Sequence, residues 1–366
     1  MHVLVGLLGA AVIAMNLAEF FVTFLLPRRV KRDPRIARQF YRVAWRPWRW
    51  VASRLSPSAG DTLLGVFGPI GLLSTLALWT AGLVVGFAML HWAGGSHLAL
   101  HRVVSFGDDL YFSAGAFLSS GSGLSPQTAW SKCVFVAEAA TGLAVVFIVV
   151  GYLPALFQAF SRREATVSTL DPRAGSPATP GVLLCRTAQR ENWDDLTDLL
   201  DEWETWMAEL METHLSYPVL AYFRSQHLHQ HWLGSLTTIV DVSAFLIAAA
   251  PDRPPPSALA TFAIGRHALA DLSYVFRASA PKEISSDRLS GAELSKLRAY
   301  VAERGLEVVD EPEMARRLEA LRAEYEDHAV ALAEALALDL PRWVPVDEYA
   351  VPGHRQTMWD TAGAPH

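Results

Sequence analysis

A short run of serines and glycines in the middle of the chain has the residue types and spacing to bind cations through its backbone. Gly121 and Gly123 occupy alternate positions, and Pro126 follows. Because glycine adopts backbone angles that other residues avoid, alternate glycines allow successive carbonyl groups to point the same way. Rings of such carbonyl oxygens can replace the hydration shell of an ion. A tight exposed turn is the alternative interpretation of the run, which comprises Ser119, Ser120, Gly121, Ser122 and Gly123.

The residues before this run predict a helix that is only half as long as a membrane span. Asp108 and Asp109 favour a helix start, since carboxylates cap and stabilise a helix N-terminus, and the helix is expected to continue to Leu118. Such a helix is about 16 Å long, about half the thickness of a bilayer core. We expect it to enter a membrane and turn back, so that the non-helical backbone after it lines a watery path or is buried in protein.

Three longer apolar stretches predict membrane-spanning helices around this segment. Residues 3–26, 63–90 and 133–160 each supply the ~20 apolar residues that a span needs and contain few charges. The first is too long for a signal peptide and no basic residue precedes it, so we expect it to be retained. Its polar Asn16 and Glu19 are expected to face protein.

Basic residues predict the orientation of these spans. Residues 28–54 carry ten Arg or Lys and one acid, and Arg162 and Arg163 follow the third span. Basic loops stay in the cytoplasm, so the N-terminus and the loop between the second and third spans are expected outside. The expected location is the cell membrane, with several spans and a cytoplasmic C-terminal domain.

In their order and spacing, these features resemble the pore domain of the tetrameric potassium-channel superfamily. A D-x-L-Y-F-S motif, typical of its bacterial members, is matched by Asp108, Leu110, Tyr111, Phe112 and Ser113. Residues 119–123 then fall on the T-V-G-Y-G selectivity filter. Glu138 and Gly142 match an E-x-x-x-G pattern of the pore-lining helix. The similarity covers residues 63–160, about a quarter of the chain.

The resemblance implies a homotetrameric channel for monovalent cations, with residues 119–123 as its filter. Asp108, Tyr111 and Phe112 are then expected in the pore helix, and Glu138 either packs against that helix or takes part in gating. Gly142 and Gly151 are candidate hinges of the pore-lining helix, although glycine in membrane helices also serves close packing.

Two departures from the superfamily's pattern weaken the case for potassium selectivity. Ser122 stands where the filter tyrosine is expected, and Leu124 stands where an aspartate usually follows the second glycine. Residues 125–128, Ser-Pro-Gln-Thr, are similar to the post-filter loop of bacterial channels that conduct sodium and potassium alike. A pathway that passes both K⁺ and Na⁺ is therefore expected.

The basic segment at residues 28–54 predicts a helix on the anionic inner surface of the membrane. Its arginines recur at three- and four-residue steps, which places them on one helical face, while tryptophans provide interfacial anchors and Pro47 is expected to kink the helix. A basic tether that only orients the chain is the alternative, and no nucleic-acid partner is predicted. The residues concerned are Arg35, Arg38, Arg42, Arg46, Arg49, Trp45, Trp48 and Trp50.

The remainder of the chain predicts a helical domain of opposite charge. Residues 164–366 carry 17 basic and 31 acidic groups, a net charge of −14. Apolar residues recur at helical spacing over residues 193–211, 215–223, 258–276 and 315–338. Residues 233–250 are apolar enough for a fourth span, but Asp241 and the lack of basic flanks favour a buried core helix.

No pattern in this domain predicts an enzyme or a cofactor site. His227, His229 and His231 form an H-x-H-x-H run, but only two of them share a helical face, which is weak evidence for metal. The chain contains no glycine-rich phosphate loop, nucleotide fingerprint or nucleophile motif. A surface cluster is the ordinary interpretation of the histidines, and a metalloenzyme is the weakest of the hypotheses.

The sequence therefore predicts an all-α membrane protein with three spans, a re-entrant helix and filter loop between the second and third, and a helical cytoplasmic domain. The predicted function is a tetrameric cation channel that this domain gates or modulates. The alternative is a non-conducting receptor or scaffold with a vestigial pore. The predicted segments are an extra span (1–27), a basic interfacial segment (28–60), a pore domain (61–163), a linker (164–181) and the helical domain (182–366).

Overall fold

The computed structural model describes residues 2–24, 36–95, 104–189, 193–225, 230–276, 278, 288–303 and 312–345. These residues form helices and connecting turns without a β-strand, which confirms the prediction of an all-helical fold for this part of the chain. The chain divides into two compact units, residues 1–158 and 159–366, so that the boundary falls within a long helix.

Twelve α-helices occur in the described residues, and a short 3₁₀ helix, Pro218–Tyr222, follows the seventh. In chain order they are α1 (His2–Phe24), α2 (Ile36–Ala52), α3 (Pro57–Ala93), α4 (Phe106–Phe117), α5 (Ala129–Ala174), α6 (Pro180–Gln189), α7 (Trp193–Ser216), α8 (Trp232–Ala249), α9 (Pro256–Phe276), α10 (Gly291–Ala302), α11 (Pro312–Ala323) and α12 (Glu326–Leu336).

Four helices in the described part of the chain are long and apolar enough to cross a membrane: α1, α3, α5 and α8. α3 and α5 contain the second and third predicted spans, and α1 covers residues 3–24 of the first, whose last two residues lie outside the described residues. In α8, 83% of the most apolar stretch is buried inside the protein, against 17%, 39% and 22% in α1, α3 and α5. An apolar helix that crosses a membrane can face lipid and does not have to be covered by other helices. The burial of α8 within the protein therefore supports the prediction that it is a core helix.

Close backbone contact holds α1 against α3 in the first unit. A Cβ atom placed on Gly9 would lie 2.8 Å from the carbonyl oxygen of Gly86, and one placed on Gly82 would lie 2.7 Å from Nδ2 of Asn16. Asn16 is 4% exposed and donates from Nδ2 to the carbonyl oxygen of Val12 at 2.9 Å. Asn16 therefore faces protein, as the sequence predicts, while Glu19, the other polar residue of the first span, is half-buried.

The basic helix α2 packs on α3 through its aromatic residues. The rings of Trp45 and Trp48 lie 4.8 and 5.6 Å from the ring of Phe67, and Nε1 of Trp48 donates to the carbonyl oxygen of Leu63 at 2.8 Å. Of the three tryptophans predicted as interfacial anchors, only Trp50 is largely exposed. Pro47 lies inside α2, which continues on both sides of it.

The second unit has a buried ionic network at its centre. Arg288 donates to both carboxylate oxygens of Asp241 at 3.0 Å and to Glu326 at 2.6 and 3.1 Å. The Tyr325 hydroxyl donates to Asp241. Burial, followed by the charge of Asp241, raises the pKa of Tyr325 well above its ordinary value, so this hydroxyl remains a donor. A charged residue is thus accommodated in the apolar α8 because its hydrogen bonds are satisfied.

The predicted linker at residues 164–181 is largely helical. α5 continues to Ala174, and only residues 175–179 separate it from α6. Val167, Leu170 and Ala174 are buried in the core of the second unit, so tertiary packing outweighs the weak helix propensity of the serines and threonines in this stretch. The single helix predicted over residues 315–338 is likewise divided into α11 and α12.

A buried arginine fixes this last part of α5 within the second unit. Arg163 donates to the carbonyl oxygens of Leu220 and Phe223 at 2.9 and 2.8 Å and to Nε2 of His214 at 3.2 Å. Nδ1 of His214 donates to the carbonyl oxygen of Leu210 at 2.8 Å, so both ring nitrogens are used. The imidazole must be neutral to accept from Arg163, because its protonated form has no acceptor nitrogen.

We expect acid to destabilise the protein through His214. Burial, and second the charge of Arg163, lower the pKa of His214 to about 3 from its ordinary value of 6.5. The unfolded chain therefore binds this proton near pH 6.5 while the folded chain does not, and stability falls as pH decreases toward 3. The loss at pH 5 should be about 2 kcal/mol.

The measurement is the midpoint of thermal unfolding at pH 7.5 and pH 5, for the wild type and for His214→Gln, which cannot titrate. The carboxylates contribute equally to both proteins, so the variant should lose less stability on acidification. The same pH dependence in both would show that His214 has no such role.

Candidate functional site

The half-length helix α4 begins at Phe106, two residues before the predicted cap Asp108, and Ser105 and Asp108 cap it reciprocally. The backbone N–H of Asp108 donates to Oγ of Ser105 at 3.4 Å, and the backbone N–H of Ser105 donates to Asp108 at 2.9 Å. This capping box satisfies donors that a helix start leaves unpaired. Asp108 therefore holds the end of the helix, while Asp109 is fully buried.

One face of α4 packs into the first unit and a neighbouring face is open. Phe112 is 1% exposed, and its ring lies 5.0 Å from the ring of His91 and 5.6 Å from that of Phe135. Tyr111 is 61% exposed within the single chain. Adjacent positions on a helix point about 100° apart, so the two aromatic residues of the motif have different surroundings.

Residues 119–123, which follow the C-cap residue Leu118 of α4, alternate in backbone conformation. Positive φ angles occur at Ser119 (52°), Gly121 (72°) and Gly123 (71°), and the two serines between them do not have positive φ. For Ser119 this left-handed conformation costs about 1–2 kcal/mol, which an L-residue accepts only where the surroundings impose it. Both glycines that the sequence singles out for unusual backbone angles therefore have positive φ, and the alignment of the carbonyl groups in this run stays a prediction.

This segment folds back along α4. The backbone N–H of Ser120 donates to the carbonyl oxygen of Gly115 at 3.0 Å. A Cβ atom placed on Gly115 would lie 3.0 Å from Cβ of Ser122, and Oγ of Ser122 accepts from the backbone N–H of Leu124 at 3.3 Å. Gly115 therefore allows residues 119–123 to run directly beside the helix.

A buried polar cluster joins α3, α4 and α5 behind this segment. Glu138 is fully buried, and its carboxyl group is hydrogen-bonded to Oγ of Ser113 on α4. Ser113 also lies 2.8 Å from the carbonyl oxygen of Val84 on α3. Nε2 of His91, on the same helix as Val84, is 3.4 Å from Oε2 of Glu138. One carboxyl group therefore contacts both helices that position residues 119–123.

Glu138→Gln should lower the stability of the protein much less than Glu138→Ala, since glutamine keeps an oxygen that accepts from Ser113 and has nearly the same volume as glutamate. We expect the alanine variant to lose about 1–3 kcal/mol of stability, because it leaves a cavity and removes the partner of His91 and Ser113. The check is thermal unfolding of each purified variant in detergent. Equal losses in the two variants would contradict a hydrogen-bonding role for Glu138.

Gly142 brings α5 into contact with the end of α4. A Cβ atom placed on Gly142 would lie 2.1 Å from the carbonyl oxygen of Phe117, the last residue of α4. A Cβ atom placed on Gly151 would meet nothing within 4 Å. Close packing thus accounts for Gly142, whereas a hinge role for either glycine stays a prediction.

The predicted site residues of the first unit, except Gly151, lie on α4, on the turn after it or in contact with them. Sequence reasoning did not single out His91 and Gly115, which complete the surroundings of Glu138 and Ser122. A small residue within α4 was the available signal for Gly115. No sequence signal pointed to His91, because a histidine near the end of an apolar stretch is more often simply the polar residue with which that stretch ends.

The predicted histidine cluster lies mostly outside the described residues. His227 and His229 are not described. His231 caps the start of α8: its Nδ1 accepts from the backbone N–H of Gly234 at 2.9 Å, and its Nε2 donates to the carbonyl oxygen of Asp339 at 2.8 Å. Both ring nitrogens of His231 are used in this way. Within the described ranges, no three His, Cys, Asp or Glu side chains are grouped to hold a metal ion.

Comparison of the chain with protein-family models, with curated proteins and with solved structures found no match.

Proposed function

We propose that this chain is one subunit of a tetrameric membrane channel that conducts monovalent cations through the backbone carbonyls of residues 119–123. The observation that carries the proposal is the alternation of positive φ at Ser119, Gly121 and Gly123, directly after a helix of half-span length. The segment also lies between two helices, α3 and α5, that are long and apolar enough to span a membrane. Carbonyl groups arranged in rings can replace the water around K⁺ or Na⁺.

The same segment supports weak discrimination between K⁺ and Na⁺. A filter tyrosine would hold the filter at a fixed width through its aromatic packing. Ser122 instead lies against Gly115 and accepts a hydrogen bond from the backbone of Leu124. The small side chain leaves the width of the path less constrained, so size-based selection of K⁺ over Na⁺ is not expected.

An oligomer is required because one chain contributes one loop, and one loop cannot enclose a path. The resemblance to the tetrameric superfamily implies that the oligomer has four subunits. In the single chain α5 exposes large apolar residues, which neighbouring subunits or lipid would cover. They include Val136, Leu143, Val146, Phe147 and Val150.

Native mass spectrometry of the purified protein in detergent tests this assembly. The expected species is a homotetramer with a mass close to four times that of the chain. Monomers and dimers alone, at concentrations where the protein stays folded, would contradict the channel proposal.

We further propose that the C-terminal unit is cytoplasmic and modulates the path. The support is the strong basic charge of residues 28–54 against the net charge of −14 after residue 163. The pore-lining helix α5 continues to Ala174 and so includes Arg163, which is hydrogen-bonded within the C-terminal unit. A conformational change of the residues around Arg163 in the C-terminal unit would therefore act on α5.

A non-conducting receptor or scaffold is the second candidate. It is favoured by Ser122 and Leu124, which take the places of two filter-stabilising side chains. If the path is vestigial, the double variant Ser122→Tyr, Leu124→Asp should remain without current after reconstitution. Current through the wild-type protein would rule this candidate out.

A further inference from the structure

The C-terminal end of α1 contacts both α3 and α5, the two helices that precede and follow the α4 segment. The ring centroid of Phe24, the last residue of α1, lies 5.6 Å from that of Trp79 on α3 and 4.4 Å from that of Tyr152 on α5. The ring planes cross at 71° and 79°, which is the edge-to-face arrangement that aromatic pairs prefer. One side chain of α1 therefore joins the two helices.

The rest of α1 is held on α3, so Phe24 is attached to a fixed support. A Cβ atom placed on Gly86 of α3 would lie 2.7 Å from Cγ1 of Ile13 and 3.2 Å from the carbonyl oxygen of Gly9. Phe20 is 4% exposed, and its ring lies 4.3 Å from that of Phe24. Because the two backbones are this close, α1 cannot shift against α3 without steric overlap.

An apolar cluster fixes the part of α5 that precedes Tyr152. Its buried members are Phe20, Trp79, Leu83, Phe117 and Val145. Ile148 and Val149 of α5 are partly buried and pack against this cluster, as does Phe24. Residues three and four positions apart share a face of a helix, so Tyr152 lies on the face of α5 that carries Val149. The helix is thus held as far as Val149 by the cluster and at Tyr152 by Phe24.

The turn of α5 at residues 151–154 is weaker as a helix than the part before it. Glycine stabilises a helix less than other residues apart from proline, and a Cβ atom placed on Gly151 would meet nothing within 4 Å. Pro154 lies within α5 and has no backbone N–H to donate to the carbonyl oxygen of Val150. Tyr152 lies between these two residues. The contact with α1 therefore falls on the turn at which α5 bends at the lowest cost.

We propose that α1 is a clamp on the pore-lining helix, in which Phe24, through Tyr152, restrains the bending of α5 at residues 151–154. A span that served only as a membrane anchor would need neither close glycine contacts with α3 nor an aromatic contact with α5. Release of the clamp lets α5 bend and so changes how often the path is open. This regulation rests on the proposed channel function, whereas the restraint on α5 does not.

Hydrogen–deuterium exchange of the full-length protein in detergent tests the restraint without reference to conduction. Phe24→Leu removes the ring and should raise the exchange rate of the backbone amides of residues 148–158 about threefold or more, because an aromatic pair changes an equilibrium constant about 2- to 10-fold and local opening exposes these amides. Phe24→Tyr keeps the ring and should exchange like the wild type. Phe21→Leu is the matched control, since Phe21 lies on the same helix and is 52% exposed.

A double-mutant cycle assigns the effect to the contact between the two rings. Tyr152→Leu should raise the exchange of residues 148–158 as Phe24→Leu does, and the double variant should raise it no further, because both changes remove the same contact. The amides of residues 133–143, on the same helix, should exchange at the wild-type rate in all variants. This comparison separates release of one turn from loss of folding.

Single-channel recording in planar bilayers tests the regulation. In Phe24→Leu the fraction of time that the path is open should differ from that of the wild type about threefold or more. The current through one open channel and the reversal potential should stay the same, because residues 119–123 are unchanged. A wild type without current would defeat the proposed function and leave the exchange result standing.

Wild-type exchange of residues 148–158 in Phe24→Leu would overturn the clamp. Additive effects of Phe24→Leu and Tyr152→Leu on this exchange would also overturn it, since the two rings would then act separately. An unchanged open fraction in Phe24→Leu, in a protein whose wild type conducts, would overturn the regulation.

Discussion

Replacing Gly121 with alanine should reduce cation current at least 100-fold while the tetramer still forms. Gly121 has φ of 72°, and a Cβ atom placed there would meet nothing within 4 Å of its own chain. The effect is therefore conformational, since a left-handed conformation costs alanine about 1 kcal/mol or more. Four subunits contribute four such residues to one ring, and their combined cost of about 4 kcal/mol or more corresponds to about a 1,000-fold loss of the alternating conformation.

The measurement is ion flux into liposomes that contain equal amounts of each purified variant. Gly107→Ala is the matched control, because Gly107 lies in the first turn of α4, and the nearest atom to a Cβ placed there is Oγ of Ser105 at 3.6 Å. The control should conduct like the wild type. Wild-type flux through Gly121→Ala would contradict a path formed by the alternating backbone of residues 119–123.

Gly142→Ala should cause the second large effect, loss of both stability and conduction. The added methyl group would start 2.1 Å from the carbonyl oxygen of Phe117, well inside van der Waals contact. That oxygen belongs to backbone at the end of α4, so relief of the clash requires α4 and α5 to separate. Overpacking of this kind costs about 1–3 kcal/mol, and the displaced end of α4 carries residues 119–123 with it.

Thermal unfolding of the purified protein measures the stability, and Gly151→Ala on the same helix provides the comparison. A Cβ on Gly151 meets open space, and alanine favours a helix over glycine by about 1 kcal/mol. Gly151→Ala should therefore unfold at the same temperature as the wild type or slightly higher. If both alanine variants unfolded at the wild-type temperature, the contact between Gly142 and Phe117 would not limit the size of the residue at position 142.

Much of the first unit could be predicted because its signals are local. The alternate glycines at 121 and 123 predicted unusual backbone angles, and positive φ occurs at both. Asp108 predicted a helix start in this region, and α4 begins two residues earlier, with Ser105 as its N-cap and Asp108 in the capping box. Apolar length predicted α1, α3 and α5, because that property belongs to each segment alone and needs no knowledge of its neighbours.

The contacts that complete the candidate site could not be predicted, because they join residues far apart in the chain. His91 and Ser113 reach Glu138 only when α3, α4 and α5 pack together. The same limit explains the error at residues 164–174, where composition predicts a linker. The buried Val167 and Leu170 keep that stretch helical, and their partners lie on other helices. α8 shows the opposite balance, since Asp241 and the lack of basic flanks indicated a core position without any knowledge of its partners.

Reversal potentials of the purified wild-type protein in planar bilayers, under separate gradients of K⁺, Na⁺ and Cl⁻, test the central claim most directly. The proposed path predicts a reversal potential that follows the K⁺ and Na⁺ gradients with little preference between them and does not follow Cl⁻. Ser122→Tyr, measured beside it, should increase the preference for K⁺, because an aromatic side chain restores packing around the path. A current that follows Cl⁻, or the absence of current under every gradient while the protein is tetrameric, would contradict the claim.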